Sequence, residues 1–278
     1  MTFIFSHISL GDVFFSTLTL VAYGTFISAS EYLFLYNKRQ YTDGGVFSWK
    51  IVSLLRNGYK KIPSMLRTCL IYGVLPALII QIIFVLILVY ALFLKFHNLI
   101  SLSLGIILIT NLFLNYRHLV GGEGSDQMRS ILLVSLFIFS ISSNELIKEL
   151  CIFFIAAEAT LAYFASGFSK LSSEVWRNKP AIFLITSTEV FGRKFISKFL
   201  LQHKWISFLL AYILMFLFIT FPVSLFFFPL SIFYLIPLGL FHIMIAIIMR
   251  LNAFPWFFIA TYPSIIYTSI LLTNLVFK

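Results

Sequence analysis

The feature that most constrains this chain is a succession of apolar runs, each about 20 residues long, which is the length that an α-helix needs to cross a bilayer core. Only 11% of the residues are charged, whereas soluble domains carry about 25%. The sequence therefore predicts an all-α, polytopic membrane helix bundle. The predicted spans lie near residues 13–36, 66–94, 98–116, 128–143, 146–168, 204–226, 228–250 and 254–275.

Predicted spans take up nearly all of the chain and leave no room for a separate soluble domain, so residues 1–278 are predicted to form a single transmembrane domain. Two connectors, near residues 47–55 and 170–204, combine basic residues with apolar residues at helical spacing. This pattern is typical of amphipathic helices that lie on the membrane surface. In the second connector, the apolar residues on one predicted face are Ile182, Val190, Phe191, Phe195, Phe199 and Leu200.

The basic residues are distributed unevenly between the two predicted sides of the membrane. If every span crosses, 17 of the 20 Lys and Arg residues fall on one side, in residues 37–67, 117–129 and 170–204 and at Arg250. The positive-inside rule places that side in the cytoplasm. We interpret the net charge of +10 as a signal of orientation and of contact with anionic lipids. The lipid bilayer is thus an expected partner, and nucleic acid is not, because no RNA-binding signature is present.

The segment from Leu161 to Ala181 ends an apolar run with a lysine and a Trp-Arg pair. Lys170 at this place has two interpretations. It is either an anchor whose ammonium extends to the lipid headgroups, or a partly desolvated amine that acts as a base because burial disfavours its charged form. The frequency of lysine at the ends of membrane helices favours the anchor, so position alone does not predict a catalytic role.

Other polar residues are also candidates for function. The connector from Asn115 to Met128 is rich in glycine and contains His118, Glu123 and Asp126, but it lacks the spacing of a phosphate-binding loop. Neither cysteine lies in a CxxC or other metal-ligand pattern, and no metal site is predicted.

Glu158 is the candidate that lies deepest in a predicted span. Twelve residues separate it from Lys170, or about 18 Å along a helix axis, so the two side chains do not pair directly. A carboxylate inside a membrane is expected to be functional or paired with another helix. A buried Glu is expected to be protonated or bonded to a neighbour, and the candidate partners are Arg117, Asn111 and His242.

His242, Ala246 and Arg250 share one stripe of the seventh predicted span. Arg250 ends this helix, where it either extends to the headgroups or meets an anionic group. Arg177 adds a further cation directly after the Lys170 span. A neutral, packed His242 is the simplest alternative to a functional one.

Two stretches also resemble a known family. YFASGFSKLSSEVW, at residues 163–176, is similar to the YF-x-AG-x-x-KL…W segment of vitamin K-dependent gamma-carboxylases and of the wider bacterial HTTM (horizontally transferred transmembrane) family. FHIMIAIIMRLNAFPWFFIATYPSIIY, at residues 241–267, resembles the histidine-bearing helix pair of that family. Lys170 and His242 fall on the family's lysine and histidine. His118, in the sequence YRH, is the nearest match to a catalytic histidine that the carboxylases carry in an NNH sequence, but both asparagines are absent.

The resemblance implies a role for each of these residues. In the carboxylases the lysine deprotonates a vitamin K hydroquinone, oxygen converts the product into a strong base, a glutamyl γ-proton is removed and carbon dioxide adds. Lys170, His242 and His118 are then the expected catalytic residues, and a reduced quinone is the expected cofactor. Two differences argue against glutamyl carboxylation itself. The large lumenal domain of the carboxylases has no counterpart after residue 275, and the basic residues place Lys170 on the cytoplasmic side.

Three functions follow from these observations. The first, suggested by short relatives that make a sporulation-delaying toxin with a small partner protein, is maturation or production of a secreted antimicrobial peptide. That protein would lie in a bacterial cytoplasmic membrane and use carboxylase-like redox chemistry on a peptide substrate. The second is a stand-alone quinone-dependent carboxylase or epoxidase. The third is a non-catalytic membrane scaffold or immunity protein, in which Lys170 only anchors a helix.

Overall fold

The computed structural model describes residues 8–55, 62–118 and 124–277. Within these ranges the secondary structure is helical, and no strand is present. The helices are α1 (Leu10–Asn37), α2 (Trp49–Leu55), α3 (Ser64–Tyr72), α4 (Val74–Leu94), α5 (His97–Arg117), α6 (Gly124–Ile141), α7 (Glu145–Ser172), α8 (Glu174–Asn178), α9 (Ala181–Thr186), α10 (Lys194–Gln202), α11 (Lys204–Ser224), α12 (Phe228–Met249), α13 (Phe254–Ile259) and α14 (Tyr262–Val276).

Among the described residues, seven segments are long and apolar enough to cross a membrane: α1, α4, α5, α7, α11, α12, and α13 together with α14. This finding confirms the prediction of an all-α, multi-pass membrane protein. The predicted span near 128–143 is not among the seven. Its helix, α6, is only 18 residues long, and Asp126, Gln127 and Arg129 in the first turns lower its mean hydropathy.

Helix α6 nevertheless runs antiparallel to α5 over most of its length. Near one end of the pair, Asn115 Nδ2 donates to Ser130 Oγ at 2.8 Å. Near the other end, Ser101 Oγ donates to the Ser140 carbonyl at 3.1 Å. Helix α6 is therefore packed alongside a candidate span, although it is not itself one of the seven.

Two predicted spans are interrupted, and a proline accounts for each interruption. The run at 66–94 divides at Gly73 into α3 and α4, because Pro76 has no N–H to donate to the carbonyl of Tyr72. The last run divides into α13 and α14, each with a proline in its first turn. Pro263 likewise cannot donate to the carbonyl one turn earlier. Pro255 and Pro263 thus each lie in the first turn of one half of the last span.

The basic segment at 170–204 is not one amphipathic helix, so that expectation is wrong. It forms three short helices, α8, α9 and α10, because Pro180 interrupts the helical hydrogen bonds and a turn at 187–193 separates the last two. Gly192 permits this turn to close, since a Cβ atom there would lie 2.1 Å from the Thr186 carbonyl oxygen. Only α10 keeps the expected pattern, with Phe195 exposed beside Lys194 and Lys198.

The connector after α1 contains the short helix α2. Val52 is buried against the protein, whereas Ile51, Leu54 and Leu55 are exposed, as expected for a helix whose apolar face meets lipid. Several predicted features lie outside the described residues: Arg56, Lys60 and Lys61 after α2, and Gly121, Gly122 and Glu123 before α6.

The chain divides into two compact units, one formed by residues 18–148 and the other by residues 149–278 with residues 1–17. In the first unit, α5 packs against α4 and α6, and Val74, Leu78 and Leu114 contribute to the core. In the second unit, α12 packs against α11, α13 and α14. Aromatic residues of these helices pack against Tyr163 in the C-terminal half of α7.

A candidate ring-lined site at Lys170 and His242

Lys170 lies in the last turn of α7, and its amine is held by the protein. Its Nζ atom donates to Ser166 Oγ at 2.5 Å, one helical turn earlier. The same atom is 5.0 Å from the ring centroid of Trp176 and 5.1 Å from that of Phe218. The side chain is half-buried. Ring faces attract a cation at these distances, so the ammonium lies between aromatic rings rather than extending from the protein.

Gly167 brings α7 and α11 close together beside this lysine. A Cβ atom at this position would be 2.8 Å from Phe218 Cβ and 2.9 Å from the backbone nitrogen of Ile219. Real Cβ atoms do not approach a neighbouring backbone so closely, so only glycine fits without a shift of α11. Because residue 167 is glycine, α11 can approach α7 closely enough for Phe218 to contact Lys170.

His242 lies in α12 and is 2% exposed. Its Nε2 atom is 2.9 Å from the hydroxyl of Tyr163 on α7. Its ring stacks on Phe258, with a centroid separation of 4.4 Å and an angle of 17° between the planes. Its Nδ1 atom has no hydrogen-bond partner among the described residues.

Lys170 and His242 line one cavity of about 170 Å³. Tyr163 and Ser166 also line it, as does a set of phenylalanines from three helices: Phe218, Phe241, Phe254 and Phe258. The cavity thus combines an amine, an imidazole and a phenol with largely aromatic walls. These groups suit proton transfer to or from a polar atom on an otherwise apolar ligand.

His118, the third predicted catalytic residue, lies in the unit formed by residues 18–148. Its Nε2 atom is 2.6 Å from the Tyr41 hydroxyl, and its ring stacks on Tyr32 at 4.3 Å. Burial, followed by the charges of Arg117 and Arg129, lowers the pKa of His118 to about 3. Burial also raises the pKa of Tyr41. Both partners are therefore neutral at pH 7, and the imidazole is a packed, hydrogen-bonded group.

Asp126 belongs to a polar network in the same unit as His118. Its Oδ1 atom is 2.9 Å from Nη2 of Arg129, whose side chain is buried. Arg129 also donates to Ser28 Oγ at 2.6 Å and to Asn115 Oδ1 at 3.2 Å. The network joins α1, α5 and α6, so the structure assigns Asp126 a clear structural partner.

No pairing of Glu158 is seen among the described residues. Glu158 is half-buried and has no hydrogen bond or ion pair within the described ranges of the chain. Arg117 instead donates to the carbonyls of Leu70 and Phe47. The other expected partners have other contacts as well: Asn111 donates to Ser130, and His242 meets Tyr163.

Arg177 and Arg250 do not line the cavity. The Arg177 side chain is exposed, while its carbonyl accepts a hydrogen bond from the Tyr212 hydroxyl at 2.8 Å. Arg250 is an exposed residue that ends α12 in a left-handed conformation, with φ of 61°.

Sequence reasoning missed Tyr163, Ser166 and the phenylalanines of the cavity. A signal for the first two was present, because residues three or four positions apart share one face of a helix. Tyr163, Ser166, Gly167 and Lys170 follow that spacing. The phenylalanines carried no such signal, since the chain has 34 of them and most face lipid or other apolar side chains.

In the part of the chain that the structure describes, no group of three or more His, Cys, Asp or Glu side chains is placed to hold a metal ion. Comparisons of the chain with protein-family models, with curated proteins and with solved structures find no match. The resemblance to carboxylase-like proteins therefore rests on the short stretches around Lys170 and His242, and membership of that family stays a prediction.

Proposed function

We propose that this protein is a membrane-embedded enzyme of the carboxylase-like type, in which Lys170 takes a proton from a lipid-soluble hydroxyl compound of the reduced-quinone class. One observation carries the proposal: the amine of Lys170 and the imidazole of His242 line the same aromatic cavity. A lysine that served only as an anchor has no need of such a neighbour, because lipid headgroups and water satisfy its ammonium.

The contacts of Lys170 suggest how the residue acts. In its neutral form the amine nitrogen accepts a proton from a ligand hydroxyl, and the product is an ammonium beside an oxyanion. Trp176 and Phe218 face the nitrogen and stabilise that ammonium. Ser166 Oγ fixes its direction, and the phenylalanines make the walls of the cavity largely apolar.

The ring walls and the imidazole of the cavity fit the aromatic head of a reduced quinone. His242 and Lys170 would hold its polar atoms, and Phe258 and Phe254 would contact its ring face. When bound, a reduced quinone supplies electrons to oxygen. The protein's contribution is to bind the head, to orient it and to remove its proton.

We further propose that this chemistry serves the maturation or production of a secreted antimicrobial peptide, together with a small partner protein in a bacterial cytoplasmic membrane. Support comes from the resemblance to the short HTTM proteins and from the multi-pass helical fold. A stand-alone quinone-dependent carboxylase or epoxidase is the second candidate, and the same cavity favours it. A scaffold or immunity role needs no cavity, although the contacts of Lys170 with Ser166 and two rings also suit a purely structural residue.

Oxygen uptake by the purified full chain in lipid nanodiscs tests the enzymatic proposal. Added hydroquinone is expected to stimulate uptake by wild-type protein and not by the Lys170→Met variant. Lys198→Met is the matched control, because Lys198 is exposed on α10 and should leave uptake unchanged. Uptake that is equal with and without Lys170, with or without a co-expressed partner, would contradict an enzymatic role for this lysine.

A further inference from the structure

Glu158 lies near the middle of a membrane span, where a carboxyl group is costly. Thirteen residues of α7 precede it and fourteen follow, and α7 is one of the seven segments that are long and apolar enough to cross a membrane. The hydrocarbon core of a bilayer is about 30 Å thick, so a residue at the midpoint of a span is about 15 Å from either headgroup layer. A glutamate side chain is too short to reach the headgroups from this depth, whereas Lys and Arg near helix ends can do so.

Within the described ranges, the protein offers this carboxyl group no partner. Glu158 makes no hydrogen bond or ion pair there, and it does not line the cavity of Lys170 and His242. Lipid tails neither donate nor accept hydrogen bonds, so they leave the oxygen atoms of Glu158 unsatisfied in either protonation state. Because charged residues inside membrane spans usually pair with an opposite charge, we expect the partner of Glu158 to come from another membrane molecule.

The exposed surface of α7 beside Glu158 suits contact with a second helix. Exposed residues recur along α7 at spacings of three and four, which places them on one face of the helix. This α7 stripe consists of Phe154, Ala157, Leu161, Phe164, Ala165 and Phe168. Glu158 is half-buried and lies at the edge of the stripe. Two members of the stripe are alanines, and small residues let the backbone of another membrane helix approach closely.

Charge complementarity selects the occupant of this stripe. A carboxylate pairs with a cation, so a partner helix with a lysine or an arginine near its midpoint would satisfy Glu158 and have its own charge satisfied in return. A second copy of this chain fits less well, because a symmetric contact through the same stripe brings two Glu158 carboxylates together. The depth of Glu158 in the span excludes a lipid headgroup.

We infer that the α7 stripe is the docking surface for a transmembrane helix of another protein, and that this helix carries a lysine or an arginine near the bilayer midplane, opposite Glu158. The inference rests on the proposed function only for the existence of a small partner protein. To that partner it assigns a surface on this chain and a charge in the membrane.

Energy transfer in lipid vesicles tests this inference on the full chain. The protein is labelled with a donor fluorophore at Cys69, which is exposed, whereas Cys151 is buried. The probe is a synthetic Leu-Ala helix of about 23 residues, with uncharged polar ends, an acceptor fluorophore and a lysine at its central position. A second probe has leucine in place of that lysine, so the difference between the two probes reports the charge. A mixture of donor-labelled and acceptor-labelled protein reports self-association.

The wild type is expected to bind the lysine probe at least about fivefold more tightly than the leucine probe, as one polar contact between membrane helices provides. Glu158→Gln removes the negative charge but keeps the size of the side chain, so it should reduce this preference. Glu158→Leu should abolish the preference. Glu145→Gln is the matched control, because it removes an exposed carboxylate at the start of the same helix, and it should leave the preference unchanged.

A second pair of variants tests the stripe itself. Ala157→Trp places a large side chain on the stripe beside Glu158 and should weaken binding of the lysine probe. Leu240→Trp also places a tryptophan on an exposed surface, but on α12, and it should leave binding unchanged.

Equal binding of the two probes by the wild type would overturn the inference, and so would a preference that survives Glu158→Leu. Energy transfer between copies of the protein that disappears in Glu158→Leu would identify a second copy as the occupant and would also overturn it. These outcomes differ from a failure of the proposed function. A preference for the lysine probe without Lys170-dependent oxygen uptake would retain the docking surface and remove the enzyme. Lys170-dependent uptake by a protein that binds both probes equally would retain the enzyme and remove the docking surface.

Discussion

Gly167 has no side chain, and this allows α11 to pack closely against α7 at the candidate site. A Cβ atom at this position would overlap Phe218 and Ile219 on α11, and Phe218 is one of the two rings beside Lys170. His118 shows the opposite case, in which a residue with catalytic potential is fully engaged in packing by Tyr41 and Tyr32. The identity of a side chain therefore predicts less about its role than the groups that surround it.

We predict that Gly167→Ala destabilises the protein by about 1–3 kcal/mol, the usual cost of overpacking, and lowers activity because Phe218 must move. Gly239→Ala is the matched control. Its Cβ atom would meet Tyr262 at 3.5 Å, an ordinary van der Waals contact. Thermal unfolding of the two variants in the same detergent checks the difference, and equal midpoints would show that α11 tolerates the extra methyl.

We also predict a pH dependence of stability that originates at His118. Unfolding restores its ordinary pKa of about 6.5, whereas the folded protein lowers that pKa to about 3. The unfolded state binds the proton first, so the free energy of unfolding falls as the pH decreases from 6.5 towards 3.

In His118→Gln, thermal unfolding midpoints measured between pH 4 and 7.5 should depend less on pH than in the wild type. The difference between the unfolding midpoints of the wild type and the variant should therefore become smaller as the pH falls. If the two pH profiles are parallel, His118 is not the source of the dependence.

At the scale of elements, two ion pairs with the same spacing have very different environments. Asp126 and Arg129 are 2.9 Å apart, with side chains that are 17% and 2% exposed, whereas Glu145 and Lys148 are 2.7 Å apart, with 72% and 25% exposure. The first pair is buried and belongs to the polar network that joins α1, α5 and α6. The second pair lies at the start of α7, where solvent screens it.

Removing the acid of each pair should reveal this contrast. We expect Asp126→Asn to cost about 3 kcal/mol or more, because it leaves the buried Arg129 without its counter-charge. Glu145→Gln should cost at most about 1 kcal/mol, as is usual for a surface pair. Chemical or thermal unfolding of both variants checks the prediction, and similar losses would mean that the Arg129 network does not stabilise the helix joint.

Sequence patterns predicted the elements better than their interruptions. Runs of apolar residues predicted the membrane-crossing helices because length and hydropathy alone determine that outcome. The division of the 66–94 run at Gly73 and the three short helices after Lys170 depend on Pro76, Pro180 and Gly192, whose effects are decided by local backbone packing. The packing of α7 against α12 is a tertiary contact, and the periodic spacing of apolar residues along the sequence does not predict it.

At the scale of the whole molecule, the number of crossings decides the orientation of every later connector. The antiparallel pairing of α5 and α6 favours eight crossings, one more than the seven long apolar segments found among the described residues. The site was predicted only in part: the sequence suggested Lys170 and His242, but Tyr163 and the ring walls required the fold.

We predict that Thr42 and Ser143 lie on opposite sides of the membrane, with Thr42 in the cytoplasm. The positive-inside rule gives the orientation, and a membrane-crossing α6 places its link to α7 outside. Thr42→Cys and Ser143→Cys, in a background without Cys69 and Cys151, can be labelled with a membrane-impermeant thiol reagent. Labelling of both from the same side would show that α6 does not cross.

The central claim, that the Lys170 amine acts as a base, is tested most directly by comparing Lys170→Arg with Lys170→Met in hydroquinone-dependent oxygen uptake. Arginine keeps the positive charge and the reach of an anchor, but its guanidinium is not deprotonated in proteins. We expect both variants to remain folded and to lose uptake by about 10²-fold or more, as is usual when a general base is removed. Wild-type uptake by Lys170→Arg, with loss only in Lys170→Met, would contradict it and identify Lys170 as an anchor.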